Sequence, residues 1–493
     1  SRGMPVEALM EKVGLKLSCW LLKRKDLLEN GIIVFIGPGH NGGDGAVVAR
    51  ELLLKGYDVS VWCPLPIKKK LTQSHFNYIT SLGVKILDNP PDPLKDDLWI
   101  DAILGNNQKK SIDSKIIALF NKKFESGFGE IASIDIPTGI CPNTGKILFG
   151  NAVKSGYTFS IGLKKIGILQ DSAIPYVGKI IDIEIDISQD ILSKSPKIYL
   201  GVQNKDIESI KLLLPPKNAS KYQRGRTLLV TGSEKYYGAP YLVIDGALSS
   251  GVGVVKVLVP DGIAKSIWKV APEVIVDGSL STSKEGNSLL YESLKKLDLN
   301  RFDSIVIGPG IGVDVLDWEK CISSLINFKG ILILDADALN RIAKSKKGCQ
   351  FFLDRHSQTW ITPHILEFQR LFPDLYGSNN IELAKSAASK FNIGILLKGA
   401  HSIITDGNPV AWQLYETDEN SARAGLGDLL SGFIAGMAAS EISSGKKITT
   451  ESLAKYAFIH SYAACHNSNG SNASSIGVEL SKIVRQIKTG QMS

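Results

Sequence analysis

GPGHNGGDGAVVAR, residues 37–50, follows an apolar run over 32–36 and leads into a helix-like run over 46–54. Five glycines and a proline fall between Gly37 and Gly45. A glycine-rich turn between a strand and a helix leaves backbone N–H groups unpaired and lets an anionic ligand approach the main chain. A tight turn without a ligand has the same composition. Asn41 and Asp44, polar groups set among the glycines, favour a binding site.

Working outward, residues 1–28 read as mostly helical. A strand over 58–62, a helix over 72–82, a strand over 98–104, a helix over 111–121 and a strand over 131–134 follow. Apolar strands alternating with helices imply α/β architecture, with a parallel sheet covered on both faces. Ligands of such sheets sit outside the carboxyl ends of the strands. Polar stretches at 37–44, 101–107 and 135–139 each follow a strand and should share one rim. Residues 157–187 read as further short strands. The polar stretch 188–203, which contains Pro196, reads as a linker.

A second α/β unit follows. Its strands are expected over 227–230, 254–259, 304–307, 331–334, 359–362 and 393–397, with helices over 239–250 and 428–439. Four strands run into polar motifs: GPGIG at 308–312, DADAL at 335–339, TPHILE at 362–367 and KGAHS at 398–402. SARAGLGDLLSGFIAGMAAS, residues 421–440, places Asp428 after a Gly-x-Gly turn in the first turn of an apolar helix. Exposed N–H groups there could hold a transferring phosphoryl group while Asp428 takes a proton from the accepting hydroxyl. Asp428 acting only as an N-cap fits the same pattern.

At 493 residues the chain is long enough for two or three domains of roughly 150 residues each. A net charge of +8 suits anionic small ligands but is too dilute for a nucleic-acid binder. No apolar run approaches the ~18 residues of a membrane span, and the first residues do not resemble a signal peptide. Because the chain begins at Ser1, residues before it are expected to be missing. Six scattered cysteines without a CxxC pair point to a reduced, cytoplasmic setting rather than a zinc or dithiol site.

The C-terminal motifs GSEKYYGAP (232–240), APEVIV (271–276), GPGIG, DADAL, TPHILE, KGAHS and GLGD (425–428), in this order, resemble the ribokinase-like ADP/ATP-dependent NAD(P)H-hydrate dehydratase family. GPGHNGGDG, DAILG (101–105) and IDIPTG (134–139) resemble the NAD(P)H-hydrate epimerase family, which implies a Rossmann-like three-layer domain. The tandem is similar to the bifunctional NAD(P)H-hydrate repair enzyme family over nearly the whole chain. It implies an epimerase domain over 1–190 and a ribokinase-like dehydratase domain over 204–493. The epimerase interconverts the R and S hydrates of NADH and NADPH at ring carbon 6. The dehydratase phosphorylates the hydroxyl of the S form and expels it, restoring NAD(P)H.

The resemblance further implies K⁺ on Asn41, Asp101 and Thr138, and hydrate contacts at His40, Asn41, Gly42, Gly43, Asp44 and the loop from Gly105 to Ser111. Asp135 is the expected acid/base group, with a structural turn aspartate as the other reading. In the dehydratase, the hydrate is expected against Ala239, Gly312, His364 and Asp428. ADP or ATP with Mg²⁺ is expected against Lys398, Gly399, Ala400, His401, Ser402 and Gly427, with Asp428 as the base. Asp335 and Asp337 either orient Mg²⁺ or cap a helix. A homo-oligomer is implied, with no nucleic-acid or membrane partner.

The sequence departs from the family pattern at Lys12, His40, Asn106–Asn107 and Thr138, and at Arg423–Ala424 and Ile365–Leu366. Two other readings remain open: a ribokinase-like small-molecule kinase, or a dehydratase whose N-terminal domain is a non-catalytic binding module.

Overall fold

The computed structural model describes residues 4–108, 112–194, 199–416, 423–467 and 472–491. The chain divides into two compact units, 1–196 and 197–493.

In the first unit, β1 (Ile32–Ile36), β2 (Val59–Trp62), β3 (Lys85–Ile86), β4 (Leu98–Ala102), β5 (Ile131–Ile134), β6 (Tyr157–Ile161) and β7 (Lys179–Ile183) form one sheet. The order is β3-β2-β1-β4-β5-β6-β7 and every pairing is parallel. This is a Rossmann-like order. Side chains alternate along a strand, and β1 is apolar on both sides. Ile32, Val34 and Ile36 join a core with Val13, Leu17 and Leu21 of the helix Val6–Leu22. Ile33 and Phe35 join the opposite core with Trp99, Ile116 and Phe120. There the Phe35 ring lies 4.8 Å from Trp99 and 4.3 Å from Phe120, centroid to centroid.

The glycine stretch is organised differently from the loop expected of it. The helix begins at His40 rather than Ala46, so Asn41 to Gly45 are helical, and Gly39 is the N-cap. None of its glycines takes a positive φ. They serve close approach instead. A Cβ on Gly42 would lie 2.2 Å from the Gly37 carbonyl oxygen, and one on Gly45 would lie 2.5 Å from Ala102 Cβ. The helix start is thereby pressed against the exits of β1 and β4. The helix expected over 111–121 is Ser114–Ser126, capped by Asp113, whose side chain accepts from the Lys115 N–H. Ser111 lies outside the described residues.

The second unit contains β8 (Tyr199–Val202), β9 (Arg226–Val230), β10 (Val254–Pro260), β11 (Ile275–Thr282), β12 (Ser288–Leu289), β13 (Ser304–Ile307), β14 (Ile331–Leu334), β15 (Thr359–Ile361), β16 (Gly394–Leu397), β17 (Ile403–Thr405) and β18 (Ala411–Leu414). Their order is β12-β11-β10-β9-β13-β14-β15-β16-β17-β18-β8. The stretch from β11 to β16 is parallel, and β17 reverses direction. β8 falls inside 188–203, the stretch read as a linker, and pairs in parallel with β18. The expected apolar helix is longer than anticipated, Leu426–Ser443. Every residue from Leu429 to Ala439 is buried, as in a helix that is apolar all round.

Among the described residues no helix is long and apolar enough to cross a membrane. All six cysteines are free thiols.

A methyl group at Gly42 has no room beside the Gly37 carbonyl. Gly42→Ala should therefore destabilise the first unit by about 1–3 kcal/mol, the usual cost of overpacking. Hydrogen exchange should show lost amide protection across the helix His40–Leu54. Unchanged protection would contradict this packing role.

Candidate active sites

In the first unit the three polar stretches do share one rim. They line a cavity of about 620 Å³. His40, Asn41 and Asp44 come from the helix after β1, Gly105 to Asn107 from the loop after β4, and Asp135 from the end of β5. Val6, Leu9, Met10 and Val13 of the first helix give it an apolar wall.

Asp101 and Thr138 are fully buried beneath this rim. Asp101 Oδ1 accepts from the Thr138 hydroxyl at 2.8 Å and the Ile103 N–H at 3.2 Å. Its Oδ2 accepts from the Thr138 N–H and the Ser133 hydroxyl, both at 2.9 Å. Burial pushes the Asp101 carboxyl above its ordinary pKa, with these hydrogen bonds acting against it. Among the described residues it has no cationic partner. Asn41 packs at Gly105, and its buried Nδ2 has no hydrogen-bond partner. Gly43 lies against Met10 of the first helix.

Asp135 takes φ +70°, a left-handed conformation that costs a non-glycine residue energy. Its N–H donates to Phe159 O at 2.8 Å, and its Oδ2 accepts from the Asn106 N–H at 3.1 Å. Its Oδ1 forms an ion pair with Lys165, which also donates to Ile161 O at 2.9 Å. These bonds reach other loops, so the carboxylate does not close its own turn. Lys165 was not anticipated. The only trace of it in the sequence is a basic pair, Lys164–Lys165, after the strand β6. Burial, then the charge of Asp135, pushes the Asp44 carboxyl well above its ordinary pKa. Lys12, one of the departures, pairs with Asp186 at 2.6 Å.

In the second unit the motifs after β14 and β16 meet the start of the helix Leu426–Ser443, the motif after β13 is tied to that after β14 through Gly312 and Asp337, and the motif after β15 lies beside that after β16. Gly425, at φ +89°, is its N-cap, so Asp428 is the third helical residue and not the cap. Lys398 follows β16 and pairs with Asp335 at 2.7 Å. Its ammonium lies over Gly427, 3.3 Å from where a Cβ would stand. Burial pushes the Lys398 pKa down, but the charge and hydrogen bond of Asp335, with Glu367 and Asp428, leave it raised. Burial first, then the charge of Asp335, raises Asp428 to about 7, with Lys398 opposing and Asp337 adding. Gly399 to Ser402 form the turn between β16 and β17, where Ser402 Oγ donates to Gly399 O at 3.3 Å.

His364 sits beside Lys398 across β15 and β16. Its Nδ1 accepts from the N–H groups of Leu366 (3.1 Å) and Glu367 (3.3 Å), so the neutral ring carries its proton on Nε2. Glu367 Oε2 accepts from the His364 N–H at 2.9 Å, completing a capping box. Ile365 and Leu366, which depart from the family pattern, leave this cap intact. Ala239 begins the helix Ala239–Ser249 and abuts Gly310, where a Cβ would lie 2.8 Å from its own.

Gly312 is held from both sides by one helix, Asp337–Lys344. Its N–H donates to Asp337 Oδ2 at 2.8 Å, and its carbonyl accepts from Arg341 Nε at 2.7 Å. Arg341 is fully buried and was not anticipated. Of the two acids left open between Mg²⁺ and capping, Asp337 is taken up by Gly312 and Asp335 by Lys398. Ser421 and Ala422, the first two residues of the expected segment 421–440, lie outside the described residues, as do Lys109 and Lys110 of the expected loop 105–111.

The sequence model of the NAD(P)H-hydrate dehydratase family matches residues 227–488, and that of the YjeF-related protein N-terminus matches residues 6–167. The bifunctional NAD(P)H-hydrate repair enzyme Nnr of Synechocystis is 37% identical over 443 residues, covering 89% of this chain and 83% of the relative. The chain belongs to this family. The Nnr of Gloeobacter violaceus is 35% identical, covering 89% of this chain and 85% of the relative. Among solved structures, an ADP/ATP-dependent NAD(P)H-hydrate dehydratase from Bacillus subtilis, co-crystallized with ATP/Mg²⁺, is 21% identical. It covers 58% of this chain and 97% of its own, with a TM-score of 0.47.

Within the repair-enzyme fold, Ala336 between Asp335 and Asp337 takes φ +48° and ψ −117°, a region that strains any residue with a Cβ. Ala336→Gly should therefore raise the unfolding free energy of the second unit by about 1 kcal/mol, allowing for the greater freedom of glycine in the unfolded chain. Urea unfolding monitored by hydrogen exchange in the helix Asp337–Lys344 checks this. A destabilised variant would contradict the strain.

Proposed function

We propose that the chain repairs hydrated NADH and NADPH in two steps, with epimerisation assigned to residues 1–190 and dehydration to 204–493. Epimerisation interconverts the R and S hydrates. Nucleotide-dependent dehydration returns the S hydrate to NAD(P)H. The observation that carries the dehydration assignment is Asp428, half-buried beside Lys398 at a helix start whose cap, Gly425, has no side chain. The helix N–H groups and Lys398 would stabilise a phosphoryl group in transfer, and Asp428 would take the proton of the attacking hydroxyl. The hydrate would lie against Ala239, Gly312 and His364, and the nucleotide against Gly427 and the turn after Lys398, from Gly399 to Ser402. ADP or ATP would bring Mg²⁺ on its phosphates, since Asp335 and Asp337 are already engaged.

In the first unit the donor set fits K⁺. Asp101 is a buried carboxylate without a cation, and the Thr138 hydroxyl and the Asn41 amide supply neutral oxygens. Bound there, K⁺ would supply fixed positive charge beneath the cavity. Asp135, held by Lys165 and the Asn106 N–H, is the acid/base residue of this reading. His40, Asn41, Gly42, Gly43, Asp44 and Gly105 would contact the hydrate. A homo-oligomer and a cytoplasmic location complete the proposal, and light scattering of the purified chain tests the first.

Asp428→Asn should abolish NADH formation from the S hydrate with either ADP or ATP. Residual turnover within tenfold of wild type would overturn the assignment. A base must be ionised to act, and the Asp428 carboxyl is raised to about 7. The dehydration rate should therefore fall as pH drops through about 7 and level off above it. A rate flat from pH 5 to 8 would contradict this. With a folded pKa of about 7 and an unfolded one of about 3.9, this group's contribution to stability is fully present below about pH 4 and is lost as pH rises through about 7. The thermal stability of the Asn variant relative to wild type should thus rise progressively from about pH 4 to about pH 8, as differential scanning calorimetry would read.

A further inference from the structure

We propose that Asp44 is the general acid of epimerisation, acting with Asp135 as the base on a ring that opens and recloses. This rests on the epimerase reading of the first unit. The two carboxyl groups reach one cavity from different elements, the helix after β1 and the end of β5. Their surroundings differ in kind. The Asp135 carboxylate pairs with the Lys165 ammonium and accepts from the Asn106 N–H. Among the described residues the Asp44 carboxyl has neither an ion-pair nor a hydrogen-bond partner.

The cavity wall contributed by the first helix is Val6, Leu9, Met10 and Val13, which offers no group to solvate a charge. Among the described residues the other titratable groups lining the cavity are His40 and Lys69, both exposed. A carboxyl group with an apolar wall and an anionic neighbour keeps its proton, while a partnered one loses it. Two carboxyl groups set apart in this way divide acid from base.

The substrate chemistry needs both. Carbon 6 of the hydrate carries a hydroxyl and is bonded to ring nitrogen 1. Asp135 removes the hydroxyl proton, the C6–N1 bond breaks, and its electron pair goes to N1, which takes the proton of Asp44. The product is an open-chain aldehyde. Rotation about the C5–C6 bond turns its other face to N1. Asp44 then recovers the N1 proton as N1 attacks carbon 6, and Asp135 returns its proton to the oxygen. Nothing is oxidised or reduced, and both carboxyl groups end as they began.

The test uses the intact chain, purified R hydrate and no nucleotide. Asp44→Asn should lower kcat for R-to-S conversion by about 10²–10⁴-fold with KM changed only a few-fold, the range for loss of an acid–base group. Asp44→Glu should recover part of the loss. In H₂¹⁸O the wild-type product should largely keep its original oxygen, because the C6–O bond never breaks.

Wild-type kcat in Asp44→Asn would overturn the acid role. Full ¹⁸O incorporation at each turnover would overturn ring opening in favour of loss and return of water. Should Asp44→Asn lose hydrogen-exchange protection in the helix His40–Leu54, Asp44→Glu carries the test: a rate equal to that of a fully inactive Asp135→Asn variant counts against the role. A wild-type protein that leaves both hydrates uninterconverted defeats the epimerase reading itself.

Discussion

Parallel strands end on one edge of their sheet, and the candidate groups of both units lie at or next to that edge. In the first unit, the exits of β1 and β5 bring Asn41 and Asp135 to one cavity, and β4 places Asp101 buried beneath it. In the second, β14, β15 and β16 deliver Asp335, His364 and Lys398 side by side. Several of these groups are then fixed by hydrogen bonds from a neighbouring loop, whereas His364 is held within its own turn. Asp101 is held by Thr138, Asp135 by Asn106 and Lys165, and Gly312 by Asp337 and Arg341.

Both sites treat their carboxyl groups unequally. Asp135 and Asp335 each face a lysine, whereas burial leaves Asp44 and Asp428 with raised pKa values. Burial favours the neutral form of a carboxyl group and a nearby cation its charged form, and at Asp428 burial outweighs the opposing charge of Lys398. A buried carboxyl group whose pKa is raised contributes poorly to folding and carries a proton more readily than an ordinary one. Residues in this state mark where stability is given up for chemistry. Asp135 and Ala336 add backbone strain at the same rims.

The strands and their polar exits were legible because a doubly covered strand must be an uninterrupted apolar run, and the residue after it must meet solvent or ligand. Asp428 was legible as an acid in an otherwise apolar helix, and the structure removes its alternative role by making Gly425 the cap. What escaped depended on distant partners. The helix starts at His40 because Gly42 and Gly45 meet Gly37 and Ala102, and composition alone makes the same glycines a loop. Lys165 earns its place through Asp135, 30 residues earlier, across the sheet. Arg341 lies outside every motif read from the sequence yet is fully buried against Gly312 and Asp317. β8 is four residues long and meets its partner, β18, only through the fold.

The account assigns two chemistries to two units of one chain, and a single time course tests that assignment most directly. An equal mixture of R and S NADH hydrates is incubated with the intact protein and ADP or ATP, and both epimers are followed by chromatography. Wild type should consume both to completion. Asp135→Asn should consume S and leave R at the rate set by its uncatalysed epimerisation. Consumption of both epimers by Asp135→Asn at the wild-type rate, or of neither by wild type, would contradict the account.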